Sequence, residues 1–300
     1  MVTKAELKAA IADHEKRLHQ VPPVVIPPDP PPVVGKSVTV TSVVSLLAAL
    51  PDDTLDEIVV RNGTYAIAQS SVQAPNSLWI GSKFAARTRP ILVRAETSRG
   101  VTFDAGGGNG ALWFNEGVHD QTWQGFAFAN CRIDSTGIIE SGGYATPPAH
   151  HITLRDIGIG ASNKGSGSRA QGYARDHAVY IGHAGYAVHD FTFEDIDIDC
   201  AGGLASGFHL YGAPGAQNMT FRRFKIANAK FGVMVYESTL NGILFDTGTI
   251  TGSSDYAVEY VHPNKGTILR AITSTGSGSG GLHTPEGTAG LTVEPSCVLA

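Results

Sequence analysis

The densest set of side chains that could do chemistry in this 300-residue chain is the run Phe193-Glu-Asp-Ile-Asp-Ile-Asp199. Read as a strand, it puts Asp195, Asp197 and Asp199 on one outward face, with neighbours about 6.8 Å apart. Two carboxylates near that separation suit inverting glycoside hydrolysis, and an acidic face can also take Ca2+. A structural reading competes with both. Arg223 and Lys225 sit 28 residues after Asp195 and Asp197. If the chain repeats at that interval, Asp195–Arg223 and Asp197–Lys225 form a ladder of surface ion pairs.

A second set is spread along the chain: Trp113, Asn115, Tyr180, His209, Tyr211, Met234, Tyr236, Glu259 and His283. Sugar rings lay their flat apolar faces on aromatic side chains, while their hydroxyls exchange hydrogen bonds with polar ones. Trp113, Tyr180, His209, Tyr211, Tyr236 and His283, together with Tyr173, are therefore the glycan-binding candidates. Tyr, Trp and Met are also enriched where subunits meet, so packing against a sister subunit is the other reading of this face.

Acid–base chemistry has fewer candidates. Asp176 and His177 could form a polarised pair, but neighbours on a strand point to opposite faces, so direct contact needs a bend there. Asp176, His177, Glu237 and Glu259 are the catalytic candidates. Two long connections, 134–149 and 162–177, carry Tyr144, Pro147 and Pro148, and Lys164, Arg169, Tyr173 and Arg175. Insertions on a rigid scaffold often carry function. His119, His150 and His189 recur at equivalent places, but later equivalents are Gln217, Asn241 and Lys265. Polar turn positions explain that series better than a metal stack, and no metal ligand set is expected. The three cysteines lack Cys-x-x-Cys spacing. Cys131 and Cys200 are expected two repeats apart, at about 9.6 Å, too far for a disulfide, so they read as buried free thiols.

The elements that position these groups form a repeat. Segments begin at Arg99-Gly-Val-Thr-Phe103, His119-Asp-Gln-Thr-Trp123, His150-His-Ile-Thr-Leu154, His189-Asp-Phe-Thr-Phe193, Gln217-Asn-Met-Thr-Phe221, Asn241-Gly-Ile-Leu-Phe245, Lys265-Gly-Thr-Ile-Leu269 and Ala289-Gly-Leu-Thr-Val293. The last starts fall 24 residues apart. Units of this length, made of short apolar strand and small-residue turn, read as a solenoid. Further inward positions follow two apart: Phe126 and Phe128, Ile157 and Ile159, Ile196 and Ile198, Phe224 and Ile226. A second strand recurs after a small residue, with inward pairs Leu112/Phe114, Val179/Ile181, Phe208/Leu210, Val233/Val235 and Val258/Tyr260. The small residue allows a sharp bend into the strand.

Over about residues 38–297 this pattern resembles the right-handed parallel β-helix of the pectate-lyase-like superfamily. Ser42-Val-Val-Ser-Leu-Leu-Ala-Ala-Leu50 resembles that family's N-terminal capping helix, and Ile58-Val-Val-Arg-Asn-Gly-Thr-Tyr65 its first-coil strand. The resemblance implies an all-β fold, a single-stranded right-handed parallel β-helix. The superfamily hosts lyases, hydrolases, epimerases and phage tailspikes, so the fold leaves function open. Its polygalacturonase-like members carry Asn-Thr-Asp, Asp-Asp, Gly-His-Gly and Arg-Ile-Lys. None is intact here; Gly182-His-Ala-Gly185 is a superficial echo, and no catalytic set carries over.

Residues 1–20 read as a short N-terminal α-helix. Thr3 and Glu6 fit a capping box, and Leu7, Ile11, His14, Leu18 and Val21 form a heptad seam too short to be stable alone. Residues 21–37 are a proline-rich stalk, extended and stiff, and 38–300 form the β-helix domain. The net charge of −5 suggests no nucleic-acid partner. No apolar run is long enough to cross a membrane, and the first residues lack the apolar core of a secretory signal. Helix, proline stalk and β-helix together resemble a bacteriophage tailspike or minor tail protein. That resemblance implies a virion location, a homotrimer, contacts with other tail proteins through the N-terminal helix, and a host cell-surface polysaccharide as ligand. No cofactor is expected, Ca2+ apart. An extracellular polysaccharide lyase or glycoside hydrolase is the competing reading.

Overall fold

The computed structural model describes residues 35–67, 76–106, 112–131, 137–141 (backbone only), 147–160, 177–182, 188–200, 206–211 and 215–300. The N-terminal helix and all but the last three residues of the proline-rich stalk lie outside them. So do Tyr173, Asp176 and most of the two long connections.

Among the described residues the strands form a 14-stranded and an 8-stranded sheet, called here the first and second sheet. Every strand pairing among the described residues is parallel, and neighbours within a sheet are one lap of the chain apart. The described residues between 35 and 300 form a parallel β-solenoid, as the repeats predict, of the right-handed β-helix kind that the family resemblance implies.

Register explains the core. Leu154, Phe193, Phe221, Phe245 and Leu269 stand one above another, and all are buried. The Phe193 and Phe221 rings stack at 4.8 Å and 4°, and Phe221 and Phe245 at 4.6 Å and 15°. The inward pairs of the second strand are buried too. Burying each such side chain contributes about 1.5–3 kcal/mol, so the ladder dominates the stability of the winding. One ladder was not anticipated: Val118, Ala149, Val188, Ala216 and Leu240, each fully buried just before its first-sheet strand.

Corners require special backbone. Asp120, His151, Asp190 and Asn218 have φ between 53° and 59° at the start of the long strands, and Asp156, Asp195, Arg223, Thr247 and Ala271 have φ between 48° and 57° at their middle. Asp and Asn tolerate this left-handed conformation best. The mid-strand residue lets the first sheet bend, and it breaks the two-residue alternation: Phe193 and Ile196 both face inward although three residues apart. The small residue before each second-sheet strand is needed for space. A Cβ at Gly207 would stand 2.7 Å from both Ile226 Cγ2 and the Gly232 carbonyl.

The capping helix runs Val43–Ala49. Ser42 Oγ accepts from the Ser45 N–H at 3.0 Å and Ser45 Oγ accepts from the Ser42 N–H at 3.1 Å, while Val43, Leu46 and Leu47 enter the core. Buried Arg87 donates to the carbonyls of Leu50, Asp52 and Leu55 that follow the helix. Cys131 and Cys200 are buried free thiols, and burial pushes both thiol pKa values up to about 12. Among the described residues no helix is long and apolar enough to cross a membrane.

Candidate functional site

On the second sheet one register line joins Trp79, Trp113, Glu140, Tyr180, His209, Met234, Glu259 and His283. Parallel pairing sets successive members about 4.8 Å apart. Six members of the row read from the sequence stand on it, joined by Glu140 and, at one end, by Trp79, whose ring lies 4.9 Å from that of Trp113. Asn115, Tyr211 and Tyr236 each lie two residues further along their own segments. A flanking line holds His177, Ser206 and Phe231, and Tyr256 pairs with Gly280.

The row is not uniformly open, which corrects its reading as one exposed face. The strands His177–Ile181 and Ser206–Leu210 are buried on both sides, and Tyr180 and His209 are only 5% and 8% exposed. Alternation tells which way a side chain points, not what lies over it. His177 meets His209, with 2.8 Å between His209 Nδ1 and His177 Nε2; the Asp176–His177 pair falls outside the described residues. Burial pushes both imidazoles down, His209 to about 3, and His177 also feels His209. Both are neutral at pH 7. Their other ring nitrogens, and the Ser206 hydroxyl, are buried without a hydrogen-bond partner among the described residues. Such atoms favour any ligand group that can satisfy them.

Beyond these strands the face opens. Tyr211 is 43% exposed, its ring 4.8 Å from that of half-buried Tyr236. Tyr236 in turn meets the His262 ring edge-on at 4.7 Å. Two imidazole–carboxylate contacts bridge the next pair of laps: His262 Nδ1 to Glu286 Oε2 at 2.7 Å, and His283 Nδ1 to Glu259 Oε1 at 3.3 Å. His283 also stacks on Tyr256 at 4.3 Å and 12°. Aromatic faces, imidazoles and carboxylates thus share one ledge. It can stack sugar rings and exchange hydrogen bonds with their hydroxyls, and each imidazole–carboxylate couple can move a proton.

Trp79, Tyr256, His262 and Glu286 were missed by the sequence reading, though signals existed. Tyr256 precedes a small residue as His177 and Phe231 do. His262 and Glu286 are one 24-residue repeat apart, as are Glu259 and His283. Glu237 faces elsewhere: its Oε1 accepts from the Thr239 N–H at 3.1 Å and lies 3.2 and 3.3 Å from the Thr239 and Ser238 hydroxyls, closing a local turn. His119, His150 and His189 form a stack with centroids 5.0 Å apart. His119 and His189 contact Asp120 and Asp190 at 2.8 and 2.6 Å. Among the described residues no group of three or more His, Cys, Asp or Glu is placed to hold a metal ion.

The first sheet carries a different exterior. Arg155, Glu194, Arg222, Asp246 and Arg270 are in register, alternating in sign. Glu194 lies 3.0 Å from both Arg155 and Arg222 and also pairs with Arg223. The ion-pair ladder expected from the acidic run is present: Asp195 with Arg223 at 2.8 Å, Asp197 with Lys225 at 3.7 Å. Arg99 lies across Gly158 to reach Asp156 at 2.9 Å and Asp197 at 2.5 Å. The groove beside this network, about 520 Å³, is lined with these charges and by Thr247, Thr249 and Thr273. Burial raises the Asp195 pKa, yet Arg223 grips both its oxygens. Glu194, Asp195 and Asp197 are matched by cations, and Asp199 accepts from the Asn228 amide at 3.0 Å, the structural reading of the run.

No protein-family model matches the chain, and no curated protein matches it in sequence. Among solved structures, the chain is similar to a catalytic domain of a GH87 alpha-1,3-glucanase in complex with nigerose, at 11% identity over 91% of this chain and 70% of that one, with a TM-score of 0.34. A variant of such a domain in complex with tetrasaccharides aligns at 14% identity over 91% and 71%, also at 0.34. The fold assignment stands on the strand register itself.

Proposed function

We propose that this chain is a glycan-recognition β-helix that takes a saccharide along the open part of the second sheet. The observation that carries the reading is the ledge of Tyr211, Tyr236 and Tyr256 beside the His262–Glu286 and Glu259–His283 couples. Stacking surface and hydrogen-bonding groups lie together there, on strands a rigid core holds in place. Tyr180 and His209 stand on the same register line but are buried, so they support this ledge from the neighbouring laps rather than add to its surface. The setting we favour is a bacteriophage tail. It rests on the sequence alone, where a helix, a proline stalk and a β-helix follow one another as in tail proteins, and it entails a homotrimer.

Binding of the full chain to host-wall polysaccharide, measured by affinity electrophoresis or calorimetry, tests the reading. Wild type binds and Tyr236→Ala loses at least tenfold. Equal binding by both proteins, or none by either, refutes it. The couples also favour a second reading, a polysaccharide-degrading enzyme with Glu259 or Glu286 as a proton-transfer group. Release of reducing ends or unsaturated uronate that vanishes in Glu259→Gln supports it. Solution mass tests the tail setting: a monomer at micromolar concentration contradicts the trimer.

A further inference from the structure

The two exteriors differ in charge as well as in shape. From His177 to the end of the chain the Lys and Arg residues are Arg222, Arg223, Lys225, Lys230, Lys265 and Arg270. Four of these lie in the first-sheet strands Gln217–Ala227 and Thr267–Thr275. Lys265 sits in the turn leading into the second of those strands. Lys230 stands at the margin of the second sheet, its ammonium 3.6 Å from Asp255 and 5.0 Å from the Phe231 ring centre. None lies in the second-sheet strands of this region. Their open side holds Glu259 and Glu286, and among the described residues each is opposed by an imidazole and by no guanidinium or ammonium group.

A polymer of uronates or phosphates brings one negative charge with nearly every residue. Its binders place guanidinium or ammonium groups against those charges. A face with two carboxylates and no basic strand residue repels such a chain at neutral pH. Tyrosine faces, imidazoles and carboxylates suit uncharged rings rich in hydroxyls.

We infer that the ligand of the open second-sheet face is a neutral glycan rather than a polyuronate or phosphate-bearing polymer. The inference rests on the glycan reading above and adds the chemical class of the ligand.

The test compares size-matched oligosaccharides on the full chain by calorimetry at pH 7.5: neutral gluco-, galacto- and manno-hexaoses against hexagalacturonate, at 50 and 300 mM salt. The expected result is that a neutral hexaose binds at least tenfold more tightly than the uronate, with a Kd that changes less than twofold with salt. Glu259→Gln combined with Glu286→Gln should narrow the gap by strengthening uronate binding. If hexagalacturonate binds as tightly as the best neutral sugar, weakens with salt and is lost in Tyr236→Ala, the charge inference fails while the glycan reading stands. If no sugar of either class binds, both fall.

Discussion

The two exteriors of the solenoid rest on one core and use their polar groups in opposite ways. On the first sheet, Arg and carboxylate side chains alternate down the laps and most of them pair, with Glu194 gathering three guanidiniums, although Arg222 Nε is buried without a hydrogen-bond partner among the described residues. Glu194, buried at 4% exposure, sits between Arg155 and Arg222. On the second sheet, aromatic rings and imidazoles lie in register and pack on one another, Tyr211 stands exposed, and one ring nitrogen each of His177 and His209 is without a partner among the described residues. The lesson is that regular spacing of charged residues is a poor guide to a site. Unsatisfied groups beside stacking surface are a better one.

The largest effect should come from breaking the first lattice at its centre. Glu194→Ala leaves three guanidiniums around an empty position and should cost about 3–5 kcal/mol, read as a lower urea midpoint. Tyr236→Ala on the other sheet should change the same midpoint little while removing binding.

Acid should act through the buried histidines. Folding lowers the His177, His209 and His150 pKa values below their ordinary value. For His150 the main cause is burial, with His189, His119 and His151 adding to it. The unfolded chain therefore binds protons first as pH falls, so stability is complete above about pH 6.5 and declines from there towards the folded-state pKa, about 3 for His209. Thermal melts from pH 7.5 to 4.5 should show this decline. The double variant His177→Gln with His209→Gln should flatten it.

Arg99→Ala should cost about 1 kcal/mol at low salt, and less as salt rises, because the Arg99 contacts with Asp156 and Asp197 lie near the surface. Thr247→Gly should do the reverse. A β-branched residue at φ 57° is strained, and glycine there should stabilise the fold by about 1 kcal/mol in the same urea titration.

Much of this was legible in the sequence. The inward ladders were, because period-two alternation recurring at 24 residues leaves few other structures. The ion pairs Asp195–Arg223 and Asp197–Lys225 followed from the 28-residue step between the segments at His189 and Gln217. Val118, Ala149 and Val188 were not, because each stands alone before a polar residue and shows no alternation. Glu194 was passed over although the three-residue step from Phe193 to Ile196 marks a bend, which turns both Glu194 and Asp195 outward. The burial of Tyr180 and His209 could not be read at all, since the pattern within a strand carries no information about what covers it.

The central claim is that the tyrosine-bearing exterior, not the charged one, meets the ligand. Calorimetric titration of the best-binding saccharide into wild type, Tyr236→Ala and Lys225→Ala tests it directly. The account predicts at least a tenfold rise in Kd for Tyr236→Ala and less than twofold for Lys225→Ala. A loss at Lys225 with Tyr236→Ala unchanged would place the ligand on the first sheet and contradict it.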